Sequence, residues 1–509
     1  MSTAITVPIW KIADCGIEWI SEPPSTAQDV VVVGAGISGL TTALCLLREG
    51  RQVLLIERED IGAGETSRTT AHLASALDDR FFLLARHHGR AGAGIAAASH
   101  AAAIDWMESL AGASGECGFK RVPGYLFSHD GDLSQLEKEA EAAATAGLSV
   151  SYLRDGIPGM QGLGPALRFE NQARVDIGPY IAALARAASD AGCRFLRAEA
   201  TQVRGGDMPT VSLREEEDIT ARAVVVASNV PFHETGSTFH KQAPYRTFAV
   251  AGRIDKDAVP DALFWDDGDP YHYVRLHESA EGDTFLIVGG EDHKTGQDDD
   301  PKVYKRLQDW TRERFPGVTT FNWGWSGQVL EPVDGLGFIG ADPANQNVYL
   351  ITGDSGNGIT HGTLGGLLIA DLIAGRNNEW AKVYDPGRKP VASAGEWLRE
   401  NSNVALQYTD WIRPSSVDDP HELARGTGAI TRRGVHLVAV YRAGDGTLHA
   451  HNARCPHLGC VVRWSSEEKS WDCPCHGSRF DAATGAILNG PTSEPLEPFD
   501  LQEAAGPEP

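Results

Sequence analysis

VVVGAGISGL at 31–40 runs a block of valines into three glycines spaced Gly34-x-Gly36-x-x-Gly39. Unbroken β-branched residues without polar alternation predict a strand buried on both faces. A helix is predicted from Ile37 and Ser38 through Leu47. In that context the glycines have separate tasks: Gly34 permits the tight turn, Gly36 lets backbone approach a pyrophosphate, and Gly39 lets helix and strand touch. The helix N-terminus then faces phosphate. A second apolar strand, VLLIE at 53–57, ends in Glu57, 18 residues beyond Gly39 and placed to accept ribose hydroxyls, with Arg58 beside it.

The same architecture continues along the chain. An apolar strand, AVVVAS at 223–228, and a second strand–turn–helix, NVYLITGDSGNGITHGTLGGLLIADLIAG at 347–375, extend the dinucleotide half. Between them TFAVAGRI (247–254) and YHYVRLH (271–277) alternate polar and apolar residues, which predicts an antiparallel sheet with strands near 245–252, 271–277 and 284–290. The dinucleotide domain is therefore expected to be discontinuous (28–90, 166–230, 331–385), with a substrate domain in 91–165 and 231–330. Residues 386–412, opening with PGRKP, read as a linker bracketing a short helix near Trp397. A separate all-β domain is expected over 413–505.

The 509 residues exceed what one hydrophobic core supports. A net charge of −24 opposes binding to nucleic acid or to an anionic membrane surface. The first 27 residues lack a basic stretch followed by an apolar core, so no secretory signal is expected. The longest nearly uncharged segment, Val30 to Leu47, holds the glycine motif and reads as strand–turn–helix in place of a membrane span, and the chain reads as cytoplasmic. The acidic runs Glu215–Asp218 and Asp298–Asp300 read as solvated turns.

Of eight cysteines, Cys15, Cys45, Cys117 and Cys193 are scattered and read as ordinary thiols, while Cys455, Cys460, Cys473 and Cys475 crowd into 21 positions. The motifs are CPHLGC at 455–460 and CPCHGS at 473–478. Each loop offers one Cys and one His: Cys455 with His457, and Cys473 with His476. Two thiolates on one iron and two imidazoles on the other suit a [2Fe–2S] cluster. Tetrahedral zinc also accepts Cys₂His₂, but zinc-finger spacing separates a Cys pair from a His pair. With their extra cysteines, prolines and HGS, and with NGP at 489–491, residues 413–505 resemble the Rieske family. That resemblance implies Cys455, His457, Cys473 and His476 as cluster ligands and a Cys460–Cys475 disulfide clamping the loops. It also implies that Ser478 hydrogen-bonds a cluster sulfide, and that Phe480, where high-potential members carry tyrosine, keeps the potential below the top of the family range.

IGAGETSRTTAHLA (61–74), EPVDGLGFIG (331–340) and TGDSGNGITHG (352–362) resemble the D-amino-acid-oxidase-like superfamily of FAD-dependent oxidoreductases, and the likeness spans 28–385. The implied fold is a Rossmann-type, glutathione-reductase-like α/β FAD-binding domain with an inserted antiparallel-sheet substrate domain, followed by the all-β Rieske domain. The resemblance places Ser67, Arg68, Thr69 and Thr70 along the pyrophosphate and flavin. It places Gly353, Gly356, Asn357, Gly358, Ile359 and Thr360 under the pyrimidine end of the ring, and Val203 against adenine. With no second strand-borne GxGxxG, FAD is favoured over a nicotinamide.

The substrate side is less defined. On a strand, Tyr271, Tyr273 and Arg275 share one face and His272 the other. Tyr273 is a candidate catalytic residue, Arg275 or Lys294 a candidate for binding a substrate carboxylate, and His293 a candidate proton acceptor. Asp269, His272 and His277 match the spacing of a mononuclear iron site, but the two histidines of an extended strand point apart. The expected activity is a dehydrogenase that oxidises a small amine or amino acid by hydride transfer to FAD. The electrons would then pass singly through the cluster to an external carrier such as a ferredoxin or cytochrome. The alternatives are a reductase with reversed flow, and a redox sensor or electron carrier without substrate turnover.

Overall fold

The computed structural model describes residues 7–114, 117–160, 162–233, 238–318 and 320–501. The valine run forms the strand Gln28–Val33, central in a parallel sheet ordered Trp19–Ile20, Arg194–Arg197, Val53–Glu57, Gln28–Val33, Ile219–Val226 and Val348–Thr352. Antiparallel strands Thr210–Leu213 and Ala200–Arg204 continue from Ile219–Val226, and Phe338–Ala341 flanks Val348–Thr352. Val30 and Val32 pack into one apolar cluster and Val31 and Val33 into another, so the strand is buried on both faces as its composition requires.

Helices Ile37–Arg48 and Gly358–Ile373 lie against each other on one face of this sheet. The glycines of the second helix permit the approach: a Cβ at Gly366 would lie 2.7 Å from the Thr42 nitrogen.

The second sheet runs Phe321–Pro332, Gln242–Arg253, Thr284–Lys294, His272–Glu278, Leu263–Asp266, Lys120–Phe127, Ala166–Arg174, His72–Leu73. The antiparallel expectation holds except for Leu263–Asp266, which is parallel to Lys120–Phe127. Two segments allotted to the dinucleotide half, His72–Leu73 and Ala166–Arg174, pair into this sheet instead. Pairing with Lys120–Phe127 places Ala166–Arg174, which in turn pairs with His72–Leu73, and local pattern does not encode these partners.

The C-terminal region carries a three-stranded sheet (Thr427–Arg433, His436–Arg442, Leu448–Asn452) and a four-stranded one (Arg463–Ser465, Ser470–Asp472, Arg479–Asp481, Ile487–Asn489), both antiparallel. The segment read as a linker is more ordered than expected, with a helix at Ala394–Gln407 that packs on both sides. Asn403 pairs with Gln297 at 2.6 Å, Asn401 donates to the His240 carbonyl at 3.0 Å, and Trp411 Nε1 donates to the Gly459 carbonyl at 3.1 Å. In the acidic run 298–300, Asp298 and Asp299 are exposed, as a solvated turn requires, and Asp299 also accepts from Ser466 N at 2.7 Å and Oγ at 2.8 Å. Both carboxylate oxygens meet donors of the C-terminal domain.

A buried four-charge network joins the second sheet to that domain. Arg246 and Arg479 contact Glu468 at 3.0 and 3.3 Å, and Arg479 meets Asp472 at 3.1 Å. Two positive and two negative groups balance, as buried charges must. Among the described residues, no helix is long and apolar enough to cross a membrane.

Candidate active site and cluster loops

The main cavity lies between the two sheets and is closed on one side by the C-terminal domain. Its wall contains Gly34, Gly36, Ile37, Ser38, Glu57, Arg58, Arg68, Thr69, Thr70, Gly353, Gly356, Asn357, Gly358 and Ile359. Segments far apart in sequence thus converge as the glycine motifs imply. Gly34, at φ +108, faces the Ala227 carbonyl so closely that a Cβ would lie 2.6 Å from it. Glu57 accepts from the Ala35 and Glu59 amides at 2.8 and 2.9 Å, which fixes its carboxylate beside the glycine turn.

The remaining predicted contacts lie off the wall. Gly39 is buried against Gly34 and acts through packing. Ser67 Oγ donates back to the Gly64 carbonyl at 3.0 Å. Thr360 is fully buried, its hydroxyl 2.8 Å from His100 Nδ1. Val203 lies inside the apolar cluster with Leu196 and Val211, and Ala198, Glu199 and Ala200 form the wall there. Strand alternation turns Val203 into the core.

Sequence reasoning missed Glu65 and Thr66. Thr66 Oγ1 accepts from the Ile37 amide at 3.1 Å. Glu65 accepts from Gln328 N and from Asn489 Nδ2, both at 2.8 Å, tying the cavity loop to the second sheet and to the C-terminal domain. The GETSR stretch that signalled the flavin loop contains both, but their partners are distant in sequence.

The wall suits a dinucleotide. His72 Nε2, Asn229 Oδ1 and Gln328 Oε1 are buried on it without hydrogen-bond partners, leaving polar atoms for a ligand to satisfy. Burial, followed by the charge of Arg275, lowers His72 to about 3, so its ring is neutral.

Of the four candidate catalytic residues, only Tyr273 reaches the wall, with its hydroxyl 2.8 Å from Thr247 Oγ1. Arg275 shares its face, as the strand period requires, but lies fully buried and donates to the Ala71 and Val175 carbonyls at 2.9 and 3.1 Å under Trp10. His293 stacks on Phe248, with ring centroids 5.1 Å apart. Lys294 pairs with Glu400 of the linker helix, beside Pro474 and His476. None of these three is placed for substrate. His272 turns to Asp266 and the Trp310 ring, and His277 to Asp176, so they share no metal position.

Several acids surround the cavity floor. Asp78 and Asp354 line it, each pushed up to about 6 by burial. Behind them Ser355 Oγ lies 2.7 Å from both Asp79 and Glu331. A hydroxyl has one proton, so one of these carboxyls must donate its own. Burial pushes both upward accordingly.

The cluster loops meet at one point. Cys455 and Cys473 are buried, and their shared hydrogen bond holds the first thiol down and pushes the second up. The His457 and His476 rings lie 4.9 Å apart; His457 Nδ1 and both His476 nitrogens are buried without partners. Burial lowers them to about 4 and about 3, keeping imidazole lone pairs available. Two thiols and two neutral imidazoles with orphaned nitrogens are the donor set a [2Fe–2S] cluster of mixed ligation takes. Cys460 and Cys475 are disulfide-linked, with Cα atoms 6.5 Å apart. Ser478 and Phe480 are fully buried beside the loops. Phe239, from the segment before Gln242–Arg253, packs edge-on against His457 at 4.9 Å.

Comparison with known proteins agrees with this geometry. A family described as FAD dependent oxidoreductase matches residues 29–372, and the Rieske [2Fe-2S] domain matches 414–500. A putative Rieske 2Fe-2S iron-sulfur protein, YhfW of Bacillus subtilis, is 27% identical over 482 residues, covering 94% of each chain. Glycine oxidase from Geobacillus kaustophilus aligns with 72% of this chain and 100% of its own (TM-score 0.60, 19% identity). L-proline dehydrogenase from P. horikoshii aligns with 71% of this chain and 97% of its own (TM-score 0.58, 18% identity).

Proposed function

This chain belongs to the FAD dependent oxidoreductase family and ends in a Rieske [2Fe-2S] domain, and from that premise we propose that it is a dehydrogenase for a small amine or amino acid. In this reading the substrate loses a hydride to FAD, and the electrons pass singly through the cluster to an external one-electron carrier. FAD supplies a two-electron acceptor and the cluster a one-electron relay.

One side chain carries the relay reading. Gln328 lines the main cavity, and its amide donates to the Gly477 carbonyl at 3.1 Å, one residue beyond His476. Gly477, at φ +79, makes room for this approach, since a Cβ would lie 2.4 Å from Pro244 Cβ and 2.7 Å from Gln328 Nε2. Cavity wall and cluster loop are therefore in direct contact. The names of the two solved neighbours, enzymes of glycine and of L-proline, support an amine or amino-acid substrate.

The test is an anaerobic screen of amines and amino acids with the holoprotein, followed by flavin absorbance and cluster EPR. Bleaching accompanied by cluster reduction is expected; a bleached flavin beside a persistently oxidised cluster overturns the relay. A second expectation concerns Cys473→Ser. Purified protein should retain flavin but lack iron and acid-labile sulfide, and oxidation of an active amine should stop after a single flavin equivalent. Continued turnover with the one-electron carrier would show that the cluster is bypassed.

A further inference from the structure

We propose that the substrate region of the main cavity is a receptor for an ammonium group and not for a carboxylate. Building on the dehydrogenase reading above, this narrows the substrate to an amine recognised through its positive charge.

The second sheet contributes Trp265 and Tyr273 to the cavity wall, Tyr271 joins them from just before the strand His272–Glu278, and Asp78 lines the same cavity. The Tyr271 and Tyr273 rings lie 5.5 Å apart and are tilted by 34°. Asp78 Oδ2 and the Tyr271 hydroxyl converge near Gly356, 3.0 and 3.5 Å from the position its Cβ would take. Glycines hold the aromatic walls in place: a Cβ at Gly289 would lie 2.2 Å from the Tyr273 ring, and one at Gly124 2.7 Å from the Trp265 ring. Aromatic faces beside a carboxylate form the arrangement that attracts a substituted ammonium ion.

The same space is built against anions. Asp354 also lines the cavity, while Asp292, near Tyr271 and Tyr273 behind the wall, is pushed up to about 7 by burial and adds little charge at neutral pH. A carboxylate entering here meets like charges in a poorly screened site. Among the described residues, the arginines on the cavity wall are Arg58 and Arg68, which donate to the Leu488 carbonyl at 3.0 Å and the Ser326 carbonyl at 2.9 Å. Arg80, whose charge acts on Asp78, donates to the Asp266 carbonyl at 3.0 Å. Arg275, the guanidinium nearest in sequence to the tyrosines, is turned into the core. The wall histidines His72 and His361 are held neutral, burial lowering them to about 3 and about 4.

Asp78, raised to about 6, is ionised at neutral pH, and a bound cation would draw its pKa down again.

The experiment uses the flavin-loaded protein and two inert probes of opposite charge. Benzyltrimethylammonium has no nitrogen lone pair and cannot be oxidised as an amine; benzoate carries the ring with a carboxylate. Titration followed by the flavin difference spectrum should give a Kd about tenfold or more lower for the cation. In Asp78→Asn the cation should bind about tenfold more weakly, with benzoate unchanged or tighter and the unliganded flavin spectrum intact. Benzoate binding as tightly as the cation in the native protein, or an unaltered cation Kd in Asp78→Asn, overturns the receptor. Cation binding without flavin reduction by any amine would instead overturn the dehydrogenase reading and leave the receptor standing.

Discussion

Glu468→Ala is expected to cost about 3–5 kcal/mol, because it leaves two buried guanidiniums without their shared carboxylate. The Arg246 and Glu468 side chains are 2% and 4% exposed, and Arg246 Nε and Nη1 already lack partners. Burial and the neighbouring Arg479 lower Arg246 to about 10, so a further loss of negative charge falls on a group already strained to stay protonated. Glu468 itself titrates at about 2, below its ordinary 4.5; burial opposes the drop, and the charge of Arg246, then Arg479, outweighs it. The sign follows directly. A depressed carboxyl pKa stabilises the folded state fully above about pH 4.5, and this contribution disappears as the pH falls towards 2. At about 1.4 kcal/mol per pH unit the lost contribution is about 3 kcal/mol. Denaturant unfolding, followed through flavin and cluster absorbance from pH 7 to pH 2, checks both statements. Glu468→Gln should flatten the acid limb, and an acid limb identical to that of the native protein would refute the assignment.

Gly39→Ala should yield protein without flavin. The new Cβ would lie 1.8 Å from the Gly34 carbonyl oxygen and 3.0 Å from its carbon, both backbone atoms of the turn that approaches the phosphates. Neither can rotate away, so helix and strand must separate. Overpacking of this kind costs about 1–3 kcal/mol or more, and loss of the bound cofactor removes its mass-action stabilisation as well. Gly36→Ala provides the contrast. Its Cβ would meet Thr66 Oγ1 at 2.9 Å, a side-chain atom that can turn aside. The flavin-to-protein ratio after purification, with thermal unfolding of the apoproteins, separates the two. Gly39→Ala should lose both flavin and apoprotein stability, whereas Gly36→Ala should keep the stability. Stoichiometric flavin in Gly39→Ala would refute the packing role.

Much of the cofactor machinery was legible because its logic is local. Glycine spacing, demanded by backbone geometry, and the acid after the second strand and the paired Cys–His loops, demanded by ligand chemistry, are each confined to a few residues. Strand alternation also placed Tyr271, Tyr273 and Arg275 on one face. It gives no depth, and depth separates Tyr273 on the cavity wall from Arg275 in the core. Val203 lies off the wall for a related reason, since alternation along its strand turns its side chain into the apolar cluster with Leu196 and Val211. Lys294, Asp299, Glu65 and Glu468 were illegible as a group. Each takes a partner more than 100 residues away across a domain boundary, and no short-range pattern encodes such pairs.

The C-terminal domain does more than carry metal. Ile487 to Gly490, Thr492 and Ser493 roof the same chamber that the glycine turn opens, and Arg58 reaches up to the Leu488 carbonyl at 3.0 Å. The domain that carries the cluster ligands therefore also supplies one side of the chamber, so a substitution at the Leu488–Asn489 turn alters the surroundings of the glycine turn as well as its own fold.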